Sequence, residues 1–182
     1  MSSNALLVID MLNRYEHEDA ELLRASARDV VPVISRLVGR ARQANALIVY
    51  VNDNHGDWTA GRAALTQRAL QGSDPGLVAP VAPGPDVPFL VKARHSAFYA
   101  TQLEYLLREQ QVERLVLCGQ VTEQCILYTA LDAYIRGFEV FVPRDAVAHI
   151  HLDLAEAALR MMARNMHASI GDADSALAVL AD

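Results

Sequence analysis

The chain alternates short, unbroken apolar runs with segments whose apolar residues recur at helical spacing. Ala5–Ile9 is the first run and ends at Asp10; Ala46–Val51 ends at Asn52, Phe89–Val91 at Lys92, Leu115–Cys118 at Gly119 and Glu139–Val142 at Pro143, with Ser169-Ile170 as a short sixth. Runs without polar alternation suit strands buried on both faces of a parallel sheet. Between them, Val30, Ile34, Leu37, Val38 and Ala41 mark a helix, with Pro32 read near its start, where a missing N–H costs little. Leu103, Leu106 and Leu107 mark a second. Ile126–Ile135 reads as a third, stopped by Gly137, and Leu152–Met166 as a fourth, with Leu154, Ala158, Met161, Met162 and Asn165 near one face. The Gly- and Pro-rich stretch Gly72–Pro88 reads as an irregular surface loop. A strand–helix unit repeated five or six times predicts one domain over residues 1–182. Its fold class is three-layer α/β/α: a doubly wound, mostly parallel, Rossmann-like sheet of five to six strands.

Composition narrows the function classes. At 182 residues with 52% hydrophobic residues and a mean hydropathy of +0.12, the chain can bury a full core and is not disordered. Its net charge is -6, from 22 acidic and 16 basic residues, without a basic run that would neutralise phosphates, so no nucleic-acid partner is expected. No apolar stretch approaches the roughly 20 residues that span a bilayer, and Met1-Ser2-Ser3-Asn4 does not open a signal peptide, so no membrane partner is expected. Two cysteines, Cys118 and Cys125, are too few for a disulfide framework and lie too far apart for a C-x-x-C pair, which points to a reducing cytoplasm. The acidic run Glu16–Glu21 reads as a solvated face.

The chemistry concentrates at the carboxyl ends of the apolar runs, where open α/β sheets bind ligands. Asp10, Asn52 to His55, Lys92 and Gln120 to Cys125 should share one rim. A carboxylate, an ammonium and a thiol on a common rim are the parts of a nucleophilic site. Cys125 falls where the turn after the fourth run enters a helix, so backbone N–H groups and the helix dipole would favour a thiolate and a developing oxyanion. Asp10 can take the thiol proton and return it to a leaving amine. Cys118, inside an apolar run, reads as an inert core thiol.

On these residues the chain resembles the isochorismatase-like cysteine hydrolase family. The resemblance runs through Leu7-Val8-Ile9-Asp10-Met11, then Val91-Lys92-Ala93-Arg94-His95-Ser96-Ala97-Phe98-Tyr99, then Gly119-Gln120-Val121-Thr122-Glu123-Gln124-Cys125 into Thr129-Ala130-Leu131-Asp132-Ala133. It implies a catalytic triad of Asp10, Lys92 and Cys125, an oxyanion hole from the backbone N–H groups of Val121 and Cys125, and a cis peptide at Gln120–Val121. Members that cleave the vinyl ether of isochorismate lack the nucleophilic cysteine, so Cys125 directs the expectation to amide, ureide or carbamoyl hydrolysis through a thioester. The family also implies a homodimer or homotetramer acting on a small-molecule substrate.

Asp53-Asn54-His55 resembles the start of the metal site of nicotinamidases, but Gly61 stands about where the next histidine would be, so no metal and no cofactor is expected. Tyr15, Asn52, Trp58, Phe98 and Gln124 are the expected pocket residues, with Asn52 and Gln124 as hydrogen-bonding groups. Trp58 reads equally as a lid or as cover for the protein's own core or a subunit contact. His95 reads as a polar loop residue, and His149 and His151 as an H-x-H pair without carboxylate or thiol partners; no role follows for His17 or His167. Two other classes remain: a nucleotide-binding module, for which no Gly-rich phosphate loop is present, and a non-catalytic scaffold that retains the fold.

Overall fold

The computed structural model describes residues 4–181; the start of the Met1-Ser2-Ser3-Asn4 segment therefore lies outside the described residues. Each apolar run forms a strand: β1 (Asn4–Ile9), β2 (Leu47–Asp53), β3 (Phe89–Lys92), β4 (Arg114–Gln120) and β5 (Glu139–Pro143), followed by the two-residue β6 (Val147–Ala148) and by β7 (Ser169–Gly171). All pairings are parallel, in the order β3-β2-β1-β4-β5-β7, with β6 alongside β4. The sheet thus has seven strands, one more than the pattern predicts, because a two-residue strand leaves no apolar run.

Helices cover both faces. α1 (Ala20–Gln43), α2 (Arg62–Leu70), α3 (Pro75–Val78) and α7 (Ala173–Ala181) lie over the face carrying Leu6, Val8, Tyr50, Val116 and Cys118. α4 (Leu103–Glu109), α5 (Leu127–Ile135) and α6 (Leu152–Asn165) cover the face carrying Leu7, Ile9, Val49, Leu115 and Leu117. Alternate strand residues feed the two cores, which is why the runs show no polar positions.

Three readings of the pattern are corrected. Pro32 sits inside α1, whose start lies at Ala20. Leu23 and Ala27 are already buried in the first turns of α1, but Arg24, Arg28 and Asp29 interrupt the apolar repeat; the missing Pro N–H removes one interior bond, while Val30, Val31 and Ile34 stay buried around it. The stretch 72–88 is not wholly irregular: Pro75 opens the short α3, and a 3-10 turn follows over Ala79–Val81, burying Leu77, Val78 and Val81. In α6 the buried face is Ala155, Ala158 and Met162, while Leu154 and Met161 are about half exposed. The small alanines allow close approach to the rest of the fold, which long side chains would hinder.

Both cysteines are free, and no helix among the described residues is long and apolar enough to cross a membrane. Cys118 is fully buried, and burial pushes its thiol far above the 9.0 of a free cysteine. It therefore keeps its proton in the folded chain at pH values where the unfolded chain has lost it. The folded state then binds more protons, so stability is intact below pH 9.0 and falls above it. The expected slope is at most about 1.4 kcal/mol per pH unit for this group. Urea melts across the alkaline range check this: Cys118→Ala should flatten the slope, and an unchanged slope would contradict it.

Candidate active site

The strand registers build the site. β1 changes direction at Asp10, which takes the left-handed φ of 55°, while its backbone N–H still bonds the Val51 carbonyl at 2.9 Å. The β2–β3 register sets Asp53 opposite Lys92, and the β1–β4 register sets Ile9 opposite Gly119. Gly119 adopts φ +123°, and a Cβ there would stand 2.0 Å from the Ile9 carbonyl oxygen, so only glycine lets the ends of β1 and β4 approach this closely. These ends flank the point where strand order reverses, with β2 on one side of β1 and β4 on the other.

Lys92, whose side chain is 0% exposed, holds the centre. Its Nζ lies 2.8 Å from Asp10 Oδ2, 3.5 Å from Asp53 Oδ2 and 3.5 Å from Cys125 Sγ. Burial alone would lower the ammonium's pKa; the neighbouring Asp10, Cys125 and Asp53 outweigh it and raise it, so Lys92 stays charged. Asp10 Oδ1 accepts the Asp53 backbone N–H at 2.6 Å, which orients the carboxylate. Burial pushes the Cys125 thiol well above the usual range; Asp10 adds to this and Lys92 opposes it, so the sulfur rests protonated. The three side chains expected to form the triad therefore meet in one place.

The turn that carries Cys125 is a π-type turn over Thr122–Ile126, following a cis peptide at Gln120–Val121. The Val121 carbonyl accepts from Gln124 N (3.0 Å) and Ile126 N (3.1 Å), a pattern that passes over the intervening Cys125 N–H. Gln120 Nε2 donates to the Asp10 carbonyl at 2.8 Å, and Tyr15 Oη donates to Gln120 Oε1 at 3.3 Å. Thus Tyr15, 2% exposed, supports the site from behind and does not line it; burial pushes its phenol up to about 12.

The cavity in front of the sulfur measures about 260 Å³, and Gln124 lines it together with Asn13, His17, Asp19, His55 and His95. Other expected pocket residues lie elsewhere. Asn52 is 2% exposed and spends its amide on the chain: Oδ1 accepts Leu12 N–H at 2.8 Å, and Nδ2 donates to the Leu12 and Asp53 carbonyls. Phe98 is 4% exposed in the lower core, stacked on Phe138. Trp58 is 82% exposed and lines a separate cavity of about 420 Å³, with Val91, Arg94 and Tyr99.

Asp53 and His55 do not fit a metal site. Asp53 faces Lys92 through Oδ2 and accepts the His55 backbone N–H through Oδ1, while His55 Nε2 lies 2.9 Å from the Leu12 carbonyl. Among the described residues no three His, Cys, Asp or Glu side chains converge for a cation. His149 Nδ1 pairs with Ser26 Oγ at 3.0 Å, and His151 stands exposed ahead of α6. His167 tilts against Tyr134 beside another cavity.

Sequence reasoning places Gln120 on the rim without a role of its own, and passes over Asp19 and His95 as site residues. The signal for Gln120 is its place at the end of an apolar run. Asp19 stands out from the otherwise exposed acidic stretch only because it is half-buried and lines the cavity. For His95 the signal is nearness to Lys92.

A family model for the isochorismatase domain matches residues 4–175. The uncharacterized isochorismatase family protein YaaI of Bacillus subtilis is 36% identical over 169 residues, covering 93% of each chain. Maleamate amidohydrolase of Pseudomonas putida is 32% identical over 164 residues, 85% of this chain and 76% of that one. Among solved structures, N-carbamoylsarcosine amidase from Thermoplasma acidophilum is similar with a TM-score of 0.73 at 26% identity, covering 96% of this chain and 98% of that one. With the match running from β1 into α7, across every strand that shapes the rim, the chain belongs to the isochorismatase family of hydrolases.

Proposed function

We propose that the protein hydrolyses a C–N bond in a small amide, ureide or carbamoyl compound through a thioester on Cys125. One observation carries this reading: a buried Lys92 ammonium 2.8 Å from the Asp10 carboxylate and 3.5 Å from the Cys125 sulfur, at the edge of a small cavity. The names of two relatives, maleamate amidohydrolase and N-carbamoylsarcosine amidase, support the class of bond. The cavity's volume of about 260 Å³ favours a compact substrate.

Asp10 takes the thiol proton as the sulfur attacks the carbonyl carbon. The C=O π pair moves to oxygen, where the N–H groups of Val121 and Cys125 hold it. Collapse breaks the C–N bond, and Asp10 passes its proton to the departing nitrogen. Water then attacks the thioester and gives a proton to Asp10; the C–S bond breaks and that proton returns to sulfur. Lys92 stays protonated throughout and offsets the charge that moves between Asp10 and Cys125. Gln124, at the cavity wall, is the candidate to orient the substrate by hydrogen bonding.

A panel of primary amides, ureides and N-carbamoyl amines, assayed for ammonia or amine release, tests the class. A substrate that turns over should leave an acyl group on the peptide containing Cys125 when the reaction is quenched by acid and analysed by mass spectrometry. Turnover with an acyl group on no cysteine would refute the thioester.

A further inference from the structure

The sulfur of Cys125 has a second nitrogen neighbour that the mechanism above does not use. His95 Nδ1 lies 3.8 Å from Cys125 Sγ, within hydrogen-bonding reach for sulfur. The imidazole is held there by stacking: its ring lies 5.4 Å from the Tyr128 ring at an interplanar angle of 24°. Tyr128 stands in the first turn of α5, three residues after Cys125, so the element that carries the nucleophile also seats the imidazole over it. His95 is exposed and lines the cavity, whereas Lys92 reaches the sulfur from the buried side. The two nitrogens thus approach from the solvent side and from the interior.

A thiolate at this position needs more than Lys92 provides. An ammonium has three N–H donors, and Lys92 directs itself to Asp10 and Asp53 as well as to the sulfur. Burial and the Asp10 charge both work against ionising the thiol.

We propose that His95 is a further catalytic residue, whose Nδ1–H donates to the Cys125 sulfur whenever that sulfur carries negative charge. This happens twice per turnover: as the thiol proton leaves for Asp10, and as the C–S bond of the thioester breaks with its electron pair remaining on sulfur. His95 keeps its own proton in both steps, so the proton balance between Cys125, Asp10 and the leaving nitrogen is unchanged. The inference rests on the reading of Cys125 as nucleophile.

Alkylation by iodoacetamide tests it without a substrate, since the thiolate displaces iodide and forms a new S–C bond. Rates at Cys125 and Cys118 are followed separately by peptide mass spectrometry at pH near 7. Two variants divide the roles of the ring. His95→Phe keeps a ring to stack on Tyr128 but has no N–H; His95→Asn places an amide N–H near the Nδ1 position without the ring. Because His95 is exposed, neither change should unfold the chain, and thermal melts check that. The expected result is alkylation of Cys125 slowed about tenfold or more in His95→Phe, the scale of a hydrogen bond to a charged group, and within about threefold of wild type in His95→Asn. A His95→Phe rate within twofold of wild type, or a His95→Asn rate as slow as that of His95→Phe, overturns the donor role. Wild-type Cys125 reacting no faster than the buried Cys118 overturns the nucleophile assignment itself, which separates the two failures.

Discussion

Cys125→Ala is expected to lower kcat on any substrate found by at least about a thousandfold, with KM changed only a few-fold. The reason is geometric. Apart from the Asp10 and Asp53 carboxylates, the sulfur is the nucleophilic side-chain atom described within contact distance of the Lys92 ammonium. Cys118 cannot replace it, because it is fully buried in the core on the opposite face of the sheet from the one that takes Cys125. Alanine leaves Asp10 and Lys92 in place, so the remaining rate is that of water activated by Asp10 beside the backbone N–H groups. The thiol occupies little of the cavity wall, which is why binding should change less than turnover. Cys125→Ser should fall between the two, since an alkoxide is harder to form than a thiolate. Steady-state kinetics with purified variants decide the matter, and an alanine variant within tenfold of wild type would remove covalent catalysis from the mechanism.

Lys92→Met is expected to cost both activity and stability. Its ammonium is 0% exposed and stands between Asp10 and Asp53. A methionine of similar length leaves two carboxylates facing one another without a counter-charge, and removing one partner from a buried ionic cluster costs about 3–5 kcal/mol. Burial of the lysine is itself unfavourable, so the loss arises from the carboxylates left behind and not from the packing of a longer side chain. That distinction gives the second arm of the measurement. Asp53→Asn added to Lys92→Met should recover part of the stability in urea melts but none of the activity, because Asp10 would still lack its ammonium partner. A Lys92→Met chain as stable as wild type would mean that the cluster is not charged as described.

How much of this was legible before folding follows from the periodicity of the chain. A strand buried on both faces writes a continuous apolar run, and its carboxyl end is marked by the first polar residue; Asp10, Lys92 and Gly119 were visible on that ground. β6 was not, being two residues long, and neither were α2, α3 and α7, whose short spans follow or contain loop-like residues. The resemblance carried the expectation of the cis peptide at Gln120–Val121, which no local pattern of residue types announces.

Nearness in sequence misled where the surroundings of a side chain mattered. Phe98 lies six residues after Lys92, yet its ring packs against Phe138 in the core; Asn52 adjoins Asp53, yet its amide ties down the loop after β1. Each is polar or aromatic near a strand end, and composition cannot say whether such a group satisfies the chain or awaits a ligand. His95 shows the converse: an ordinary loop histidine by sequence, it is brought to the sulfur by stacking on a tyrosine thirty-three positions away.

From residue order alone came the alternation of strands and helices, the two-faced sheet and the rim on which reactive groups gather, because these depend on local periodicity and on the handedness of parallel connections. Tertiary structure alone decided which of those groups touch: the registers that set Asp53 opposite Lys92 and Ile9 opposite Gly119, the buried position of the ammonium, and the imidazole over the thiol. Contact distances of a few ångströms arise from strand pairing and side-chain packing across about a hundred residues of intervening chain, and no local pattern encodes them.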